Sequence, residues 1–393
     1  MKKQASKLST GSFLAVGVDF WLTVAAVGLL SIGIIMVASS SVAIADHYNH
    51  DAFYYLKKHL VFISIGLLLS AVVMVISSQN LSKMAWFFLF LAFALLVLVL
   101  IPHLGVRVNG ARRWLNLGVA RFQVVEAVKL ALIVYLASYL VRHQKAVQSQ
   151  FMGALKPLLI AAAVAVLLLL QPDFGSAVLL FAITLMMIFI AGVRIRYLAL
   201  VGLTTVAGMA MVAVAQPYRV RRLTNFMDPF EHKYDSGFQL VQALIAIGRG
   251  EWTGVGLGAS VQKLFYLPEM HTDFIFSVYA EETGYLGVLL LISLFLLLIW
   301  RIFTVSRQAL ANGNLFGAYT AAGIGAWLAL QAFLSMAVNL GLLPTKGLTL
   351  PLISSGGSAT LMNLVALAVV LRISYENRKH QQSALRKPRE ARS

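Results

Sequence analysis

The sequence predicts an all-α polytopic membrane protein of about ten transmembrane helices, with a large structured loop between the seventh and the eighth. Two observations carry that reading. Of the 393 residues, 60% are hydrophobic and only 12% charged, about half the charged share of a soluble domain. Apolar runs of bilayer-spanning length, about 17–25 residues, also recur along the chain.

In order, the runs fall at about residues 20–45, 59–77, 85–102, 122–141, 158–172, 175–193, 197–215, 274–300, 314–340 and 357–376. The first is long, and no small-residue cleavage site with a soluble domain follows it, so it reads as a span and not as a removed signal. Gln171-Pro172-Asp173-Phe174-Gly175 divides the fifth run from the sixth as a tight turn, with one broken helix as the competing reading. Residues 216–273 are too long for a plain linker. Asp228-Pro229 marks a turn there, Phe238 to Ile247 reads as a short helix, and glycines gather from Gly248 to Gly258. Pro344, Gly347, Pro351 and Ser354-Ser355-Gly356-Gly357-Ser358 make a rigid re-entry between the ninth and tenth runs. The chain thus divides into an N-terminal segment 1–19, a transmembrane domain 20–376 that includes the loop 216–273, and a basic tail 377–393. Few apolar residues in the tail predict disorder.

A formal charge of +17 does not point to nucleic acid here. The basic residues flank the spans, with Lys2, Lys3 and Lys7 before the first and Arg378, Lys379, Arg386 and Lys387 after the last. That is the positive-inside pattern, not a basic binding face. It places both termini in the cytoplasm and the long loop outside, on the periplasmic side of a bacterial inner membrane. With no cysteine in the chain, disulfides, thiolate metal sites and cysteine nucleophiles are excluded.

Charges at a bilayer edge are costly and mark candidate sites. Asp273 stands where the eighth run meets the long loop. It has two readings: a cap for the coming helix, or a general base, ionised at neutral pH, that takes a proton from an attacking hydroxyl. Glu126 and Lys129 lie three apart and share one face of the fourth helix. They are either a self-neutralising packed pair or the polar lining of a cavity for a charged substrate. Arg107, Arg112, Arg113 and Arg121 crowd the second outer loop beside Trp114, against the orientation bias. Guanidinium forks suit phosphate oxygens, whether of lipid headgroups or of a diphosphate substrate, and Trp114 suits the headgroup level. Lys346 faces outward from the last outer loop, where the serines read as turn and cap residues. Of the adjacent acids Glu281 and Glu282, at most one faces a cavity, and Glu282 is the candidate.

Gly110-Ala111-Arg112-Arg113-Trp114, Gln171 to Gly175, Tyr266 to Glu282 and Pro344 to Ser358, in this order, resemble the signatures of the SEDS family (shape, elongation, division and sporulation) over about residues 15–380. Leu343 to Gly347 and His271-Thr272-Asp273-Phe274 are more similar to the family's cell-division members than to its elongation members. Ser355 departs from the tyrosine usual before the glycine pair.

The resemblance implies a peptidoglycan glycosyltransferase that polymerises lipid II, a disaccharide-peptide on undecaprenyl diphosphate, at the outer face of the inner membrane during septal synthesis and cell division. It places the family's essential aspartate on Asp273. Arg112, Arg113, Trp114, Glu126, Lys129, Lys346 and Glu282 are then expected on the substrate side. A divalent cation, Mg or Mn, is the one candidate cofactor, with no metal ligands assigned. Implied partners are a class B penicillin-binding transpeptidase and other division proteins at the septum. A lipid II flippase and a non-catalytic division scaffold are the rival readings. An ordered outer loop of about sixty residues has no role in transport alone.

Overall fold

A computed structural model describes residues 17–108, 110–116, 118, 121–214, 226–231, 237–263, 267–344 and 347–390. The chain opens with α1 (Phe20–Asn49), α2 (Tyr54–Val75), the short α3 (Ser78–Lys83) and α4 (Ala85–Leu100). A small sheet follows, of β1 (Gly105–Val108), β2 (Ala111–Asn116) and β3 (Arg121–Gln123). Then come α5 (Val124–Arg142), α6 (Gln144–Ser149), α7 (Phe151–Leu170), α8 (Phe174–Ile190) and α9 (Ile195–Val214). The remainder is α10 (Phe238–Arg249), α11 (Ile275–Ala311), α12 (Leu315–Asn339) and α13 (Gly357–Glu390).

The ten apolar runs fall on α1, α2, α4, α5, α7, α8, α9, α11, α12 and α13. Seven of these are long and apolar enough to cross a membrane by themselves, while α4, α8 and α9 carry shorter apolar stretches. Carboxylates and amides start several of them. Asp19 accepts from the Leu22 amide at 3.0 Å, and Asn314 accepts from that of Gly317 at 2.9 Å, the usual use of such side chains at helix starts. The Gln171–Gly175 segment is the expected turn: α7 ends at Leu170, and Asp173 caps α8 through the Ser176 amide.

Helices α5, α12 and α13 are buried on most of their surface and form the centre. Outer helices keep apolar side chains exposed, among them Leu68, Phe90, Leu159 and Leu296, as lipid-facing surfaces do. Lys129 sits in that centre, 2% exposed. Its Nζ donates to Glu126 Oε1 at 2.9 Å and Gln331 Oε1 at 2.7 Å, and lies 4.7 Å from the centre of the Trp327 ring.

Three features depart from the sequence expectation. The second outer loop is not irregular but a three-stranded antiparallel sheet in the order β1-β2-β3. Across its first hairpin Val108 pairs with Ala111, with Gly110 between them at φ +82°; the sequence Asn-Gly suits such turns, and Asn109 lies outside the described residues. Second, α13 continues through Glu390 where disorder was expected. The buried span has already nucleated the helix, and Arg, Lys, Gln, Ala and Leu extend it readily.

Third, α11 breaks at Gly284, whose φ is 65° and ψ −166°. Glu281 and Glu282 therefore lie on a short helical segment ahead of the long span. The loop at 251–256 satisfies the backbone groups freed on both sides of the break. Val255 and Gly256 donate to the Glu281 and Glu282 carbonyls at 3.0 and 3.1 Å, and Tyr285 and Leu286 donate to the Glu251 and Trp252 carbonyls at 2.9 and 3.2 Å. The two carboxylates point apart and bind residues on either side of this loop and on α1. Glu281 meets Arg249 at 3.1 Å and Ser260 at 2.5 Å, and Glu282 meets Ser39 at 2.6 Å and Lys263 at 3.1 Å.

Two outcomes follow from this packing. A Cβ on Gly284 would collide with the Thr253–Gly254 backbone and hold a left-handed φ, so Gly284→Ala should destabilise the protein by at least about 1–2 kcal/mol; an unchanged melting temperature would contradict the loop clamp. Removing one partner of a buried ion pair costs about 3–5 kcal/mol. Glu126→Leu or Lys129→Met alone should therefore damage stability more than the two together, and simple additivity in a thermal double-mutant cycle would argue against the pairing.

Candidate active site

A cavity of about 600 Å³ opens at the end of the bundle opposite the N-terminus. Its wall draws on every connection at that end. Tyr55 opens α2, Arg113 belongs to the sheet, Asp173 stands between α7 and α8, Asp273 precedes α11, and Gly356 precedes α13. None of its wall residues comes from a connection at the other end.

Asp273 is held by its backbone from two sides. Its carbonyl accepts from Asn339 Nδ2 at the end of α12, at 2.9 Å, while the same Asn339 accepts from the Ser277 hydroxyl at 2.8 Å. From the α13 side, Ser354 Oγ donates to the Thr272 carbonyl at 2.6 Å, and the Ser355 amide donates to that of His271 at 2.9 Å. Ser354 is thus a tie between loops as well as a turn residue. The N-cap position of α11 is Phe274, one residue past Asp273. Gly347 packs so closely that a Cβ there would lie 3.1 Å from Asp273 Oδ2.

The sheet orients the arginines. Arg113, on the cavity wall, donates to the Pro172 carbonyl and lies 3.9 Å from Asp173 Oδ2. This locks the sheet to the α7–α8 turn. Trp114 also lines the cavity and stands opposite Gln123 of β3. Arg112 does not line it; its guanidinium instead reaches the Leu100 carbonyl at the end of α4, at 3.5 Å.

The structure therefore brings Asp273, Arg113 and Trp114 together and leaves the other expected site residues apart. Glu126 and Lys129 are engaged with each other in the core, and Glu282 is engaged by Lys263 and Ser39; none lines the cavity. Lys346 lies outside the described residues. Four basic wall residues were not assigned to the site from the sequence: Lys58, His59, Arg121 and His271. The signal for the first two was a Lys57-Lys58-His59 run at the outer edge of the second span. Of the three acids on the wall, Asp173 caps α8, and Glu269 accepts from the Thr272 hydroxyl at 2.8 Å. Among the described residues no three His, Asp or Glu side chains gather to hold a metal ion.

His271 lines the cavity two residues before Asp273, its ring 4.7 Å from that of Tyr55. Burial pushes its pKa below the ordinary 6.5, with the Glu269 charge opposing. The imidazole is therefore neutral at neutral pH. As pH falls below 6.5 the unfolded chain binds this proton before the folded one, so the stability held above that pH is lost as pH falls through the lowered folded value. Melting curves should show this acid loss in the wild type and less of it in His271→Asn; equal losses would remove His271 from the account.

The sequence matches the cell cycle protein family of FtsW, RodA and SpoVE over residues 19–379. A probable peptidoglycan glycosyltransferase FtsW of Thioalkalivibrio sulfidiphilus is 49% identical over 363 residues, covering 92% of this chain and 91% of that protein. The corresponding protein of Legionella pneumophila is 49% identical over 360 residues, with 92% and 91% covered. A solved peptidoglycan synthase complex, described for its coordination of polymerization and crosslinking, contains a chain with a TM-score of 0.75 and 30% identity, covering 93% of this chain and 99% of that one. The crystal structure of the rod shape determining protein RodA of Thermus thermophilus gives a TM-score of 0.67 at 28% identity, with 93% and 99% covered. With a match over nearly its full length, this chain belongs to the FtsW, RodA and SpoVE family of cell cycle proteins and sits with its FtsW members.

Proposed function

We propose that this chain is a peptidoglycan glycosyltransferase of septal wall synthesis, which polymerises lipid II at the outer face of the inner membrane. The observation that carries this reading is the position of Asp273. It stands on the wall of a cavity at the end of a lipid-embedded bundle, opposite a sheet that presents Arg113, Trp114 and Arg121 to the same space. Such a site suits a substrate with a membrane-anchored tail, a diphosphate and a sugar.

The chemistry is one inverting displacement. The acceptor sugar hydroxyl attacks the anomeric carbon of the donor, the carbon–oxygen bond to the lipid diphosphate breaks, and the diphosphate leaves with the bonding electrons. Asp273 takes the hydroxyl proton and later returns it to water. Cations on the opposite wall stabilise the charge gathering on the departing diphosphate. One carboxylate suffices, because the leaving group needs no proton, unlike that of a glycosidase. His271, neutral and packed on Tyr55, borders the base without competing with it for protons.

The likeness to a synthase complex of polymerization and crosslinking supports a penicillin-binding transpeptidase of class B as the partner, within the larger division assembly. The charge distribution supports cytoplasmic termini, and the family supports a septal location.

Asp273→Asn keeps the size and hydrogen bonding of the side chain and removes the basic oxygen. Purified variant given labelled lipid II, with and without its transpeptidase, should insert and bind substrate yet make no polymer. Polymerisation near the wild-type rate would reduce Asp273 to a structural role. Loss of lipid II translocation in proteoliposomes, with polymerisation intact, would establish the flippase in its place.

A further inference from the structure

We infer that Gln331 of α12, which does not line the cavity, is a positioning residue for Asp273: its amide nitrogen holds the turn before α13 against the base. The inference rests on the glycosyltransferase reading for the reaction it serves. Gln331 is 1% exposed, and an amide is buried at little cost only when both of its ends are hydrogen-bonded. Which end faces which partner is fixed by chemistry. Lys129 Nζ and Trp327 Nε1, each 2.7 Å away, can only donate, so both face the amide oxygen. The amide nitrogen is thereby turned the other way. It donates to the Thr349 carbonyl at 2.9 Å and stands 3.4 Å from the Thr349 hydroxyl. Glu126 keeps Lys129 in place, its two oxygens 2.9 and 2.8 Å from Nζ. The charged pair of the core thus sets the direction in which a neutral side chain donates.

Thr349 lines the cavity. It belongs to the stretch 347–356 between α12 and α13, which has no helix or strand of its own. That stretch meets the base at two points. Gly347, two residues before Thr349, packs against Asp273 Oδ2. Leu350, the next residue, donates its amide to Ser354 Oγ at 2.8 Å, and that hydroxyl donates to the Thr272 carbonyl at 2.6 Å.

The stretch does not keep this shape unaided. Leu352 has a left-handed φ of 65°, a conformation unfavourable to leucine that persists only where the surroundings dictate it. On one side Gly33 of α1 lies so close to the Leu352 carbonyl that a Cβ would strike it. On the other, Gln331 holds Thr349. Without the Gln331 donor, a half-buried carbonyl loses its partner, and the stretch is free to shift, carrying Gly347 and Ser354 with it. A misplacement of about 1 Å, arising far from the chemistry, can cost about a hundredfold in rate. Gln331 therefore acts on turnover and not on affinity.

The test compares Gln331→Met and Gln331→Glu in the full-length protein in nanodiscs, reading both polymer formation from labelled lipid II and backbone hydrogen exchange. Met matches the length of the side chain and removes both ends of the amide. Glu, measured at pH 8, keeps an acceptor for Lys129 and Trp327 and removes only the donor. Both variants should lower kcat about tenfold or more and leave KM within about twofold of the wild type. Both should also speed amide exchange in segments 347–355 and 269–274. Wild-type kcat in Gln331→Glu overturns the proposal, because Gln331 would then serve Lys129 alone. A rise in KM with kcat unchanged overturns it too, as does wild-type exchange at 269–274 in both variants. Exchange is read without turnover, so a wild-type protein that made no polymer would sink the glycosyltransferase reading, while exchange at 269–274 would still decide this one.

Discussion

A charge withdrawn from water into a helical bundle is tolerable only with a partner, and that constraint organises this molecule. Lys129 meets Glu126 and Gln331, Glu281 and Glu282 meet Arg249 and Lys263, and Asp19 at the head of α1 meets Arg301 at 2.5 Å. Each pairing ties distant segments of chain together. The Glu281–Glu282 pair anchors the loop before α11 to α1 and to the outer end of α11, and Asp19 joins the first span to the far end of α11. Against this background of matched charge, Lys58 and Arg121 stand out on the cavity wall.

The fold converts that matching into a site. Every connection at one end of the bundle contributes to the cavity, while the buried faces of α5, α12 and α13 supply a rigid base. Asp273 sits on a loop, yet its carbonyl is bonded to the end of α12 and its neighbours to the turn before α13. The carboxylate is thereby positioned by elements packed in the core.

Much of this was legible in the sequence, and the gaps have physical causes. Span positions followed from length and apolarity alone. The turn at Pro172 followed from its composition, and Asp273 from its location at a span edge. Spacing correctly put Glu126 and Lys129 on one face, but spacing does not say what that face meets, and here it meets Gln331 and Trp327 instead of a cavity. The hairpin had a local sign in Asn109-Gly110, obscured by the run of arginines beside it. Arg112 and Arg113 are then separated by their partners, the Leu100 and Pro172 carbonyls, which a reading of the loop alone could not supply. The break at Gly284 depends on Gly254 and its neighbours thirty residues earlier, a contact no local pattern encodes. Lys58 and His59 escaped notice because their place on the cavity wall depends on α13, which packs against α2 from the far end of the chain.

The central claim is that the base and the diphosphate subsite face one another across this cavity. An experimental structure of the Asp273→Asn protein with lipid II bound tests it most directly. The account places the two phosphates beside Arg113 and Arg121 on the cavity wall, with the anomeric carbon turned toward residue 273. Phosphates found at the β1–β2 turn, or sugar turned away from residue 273, would contradict it.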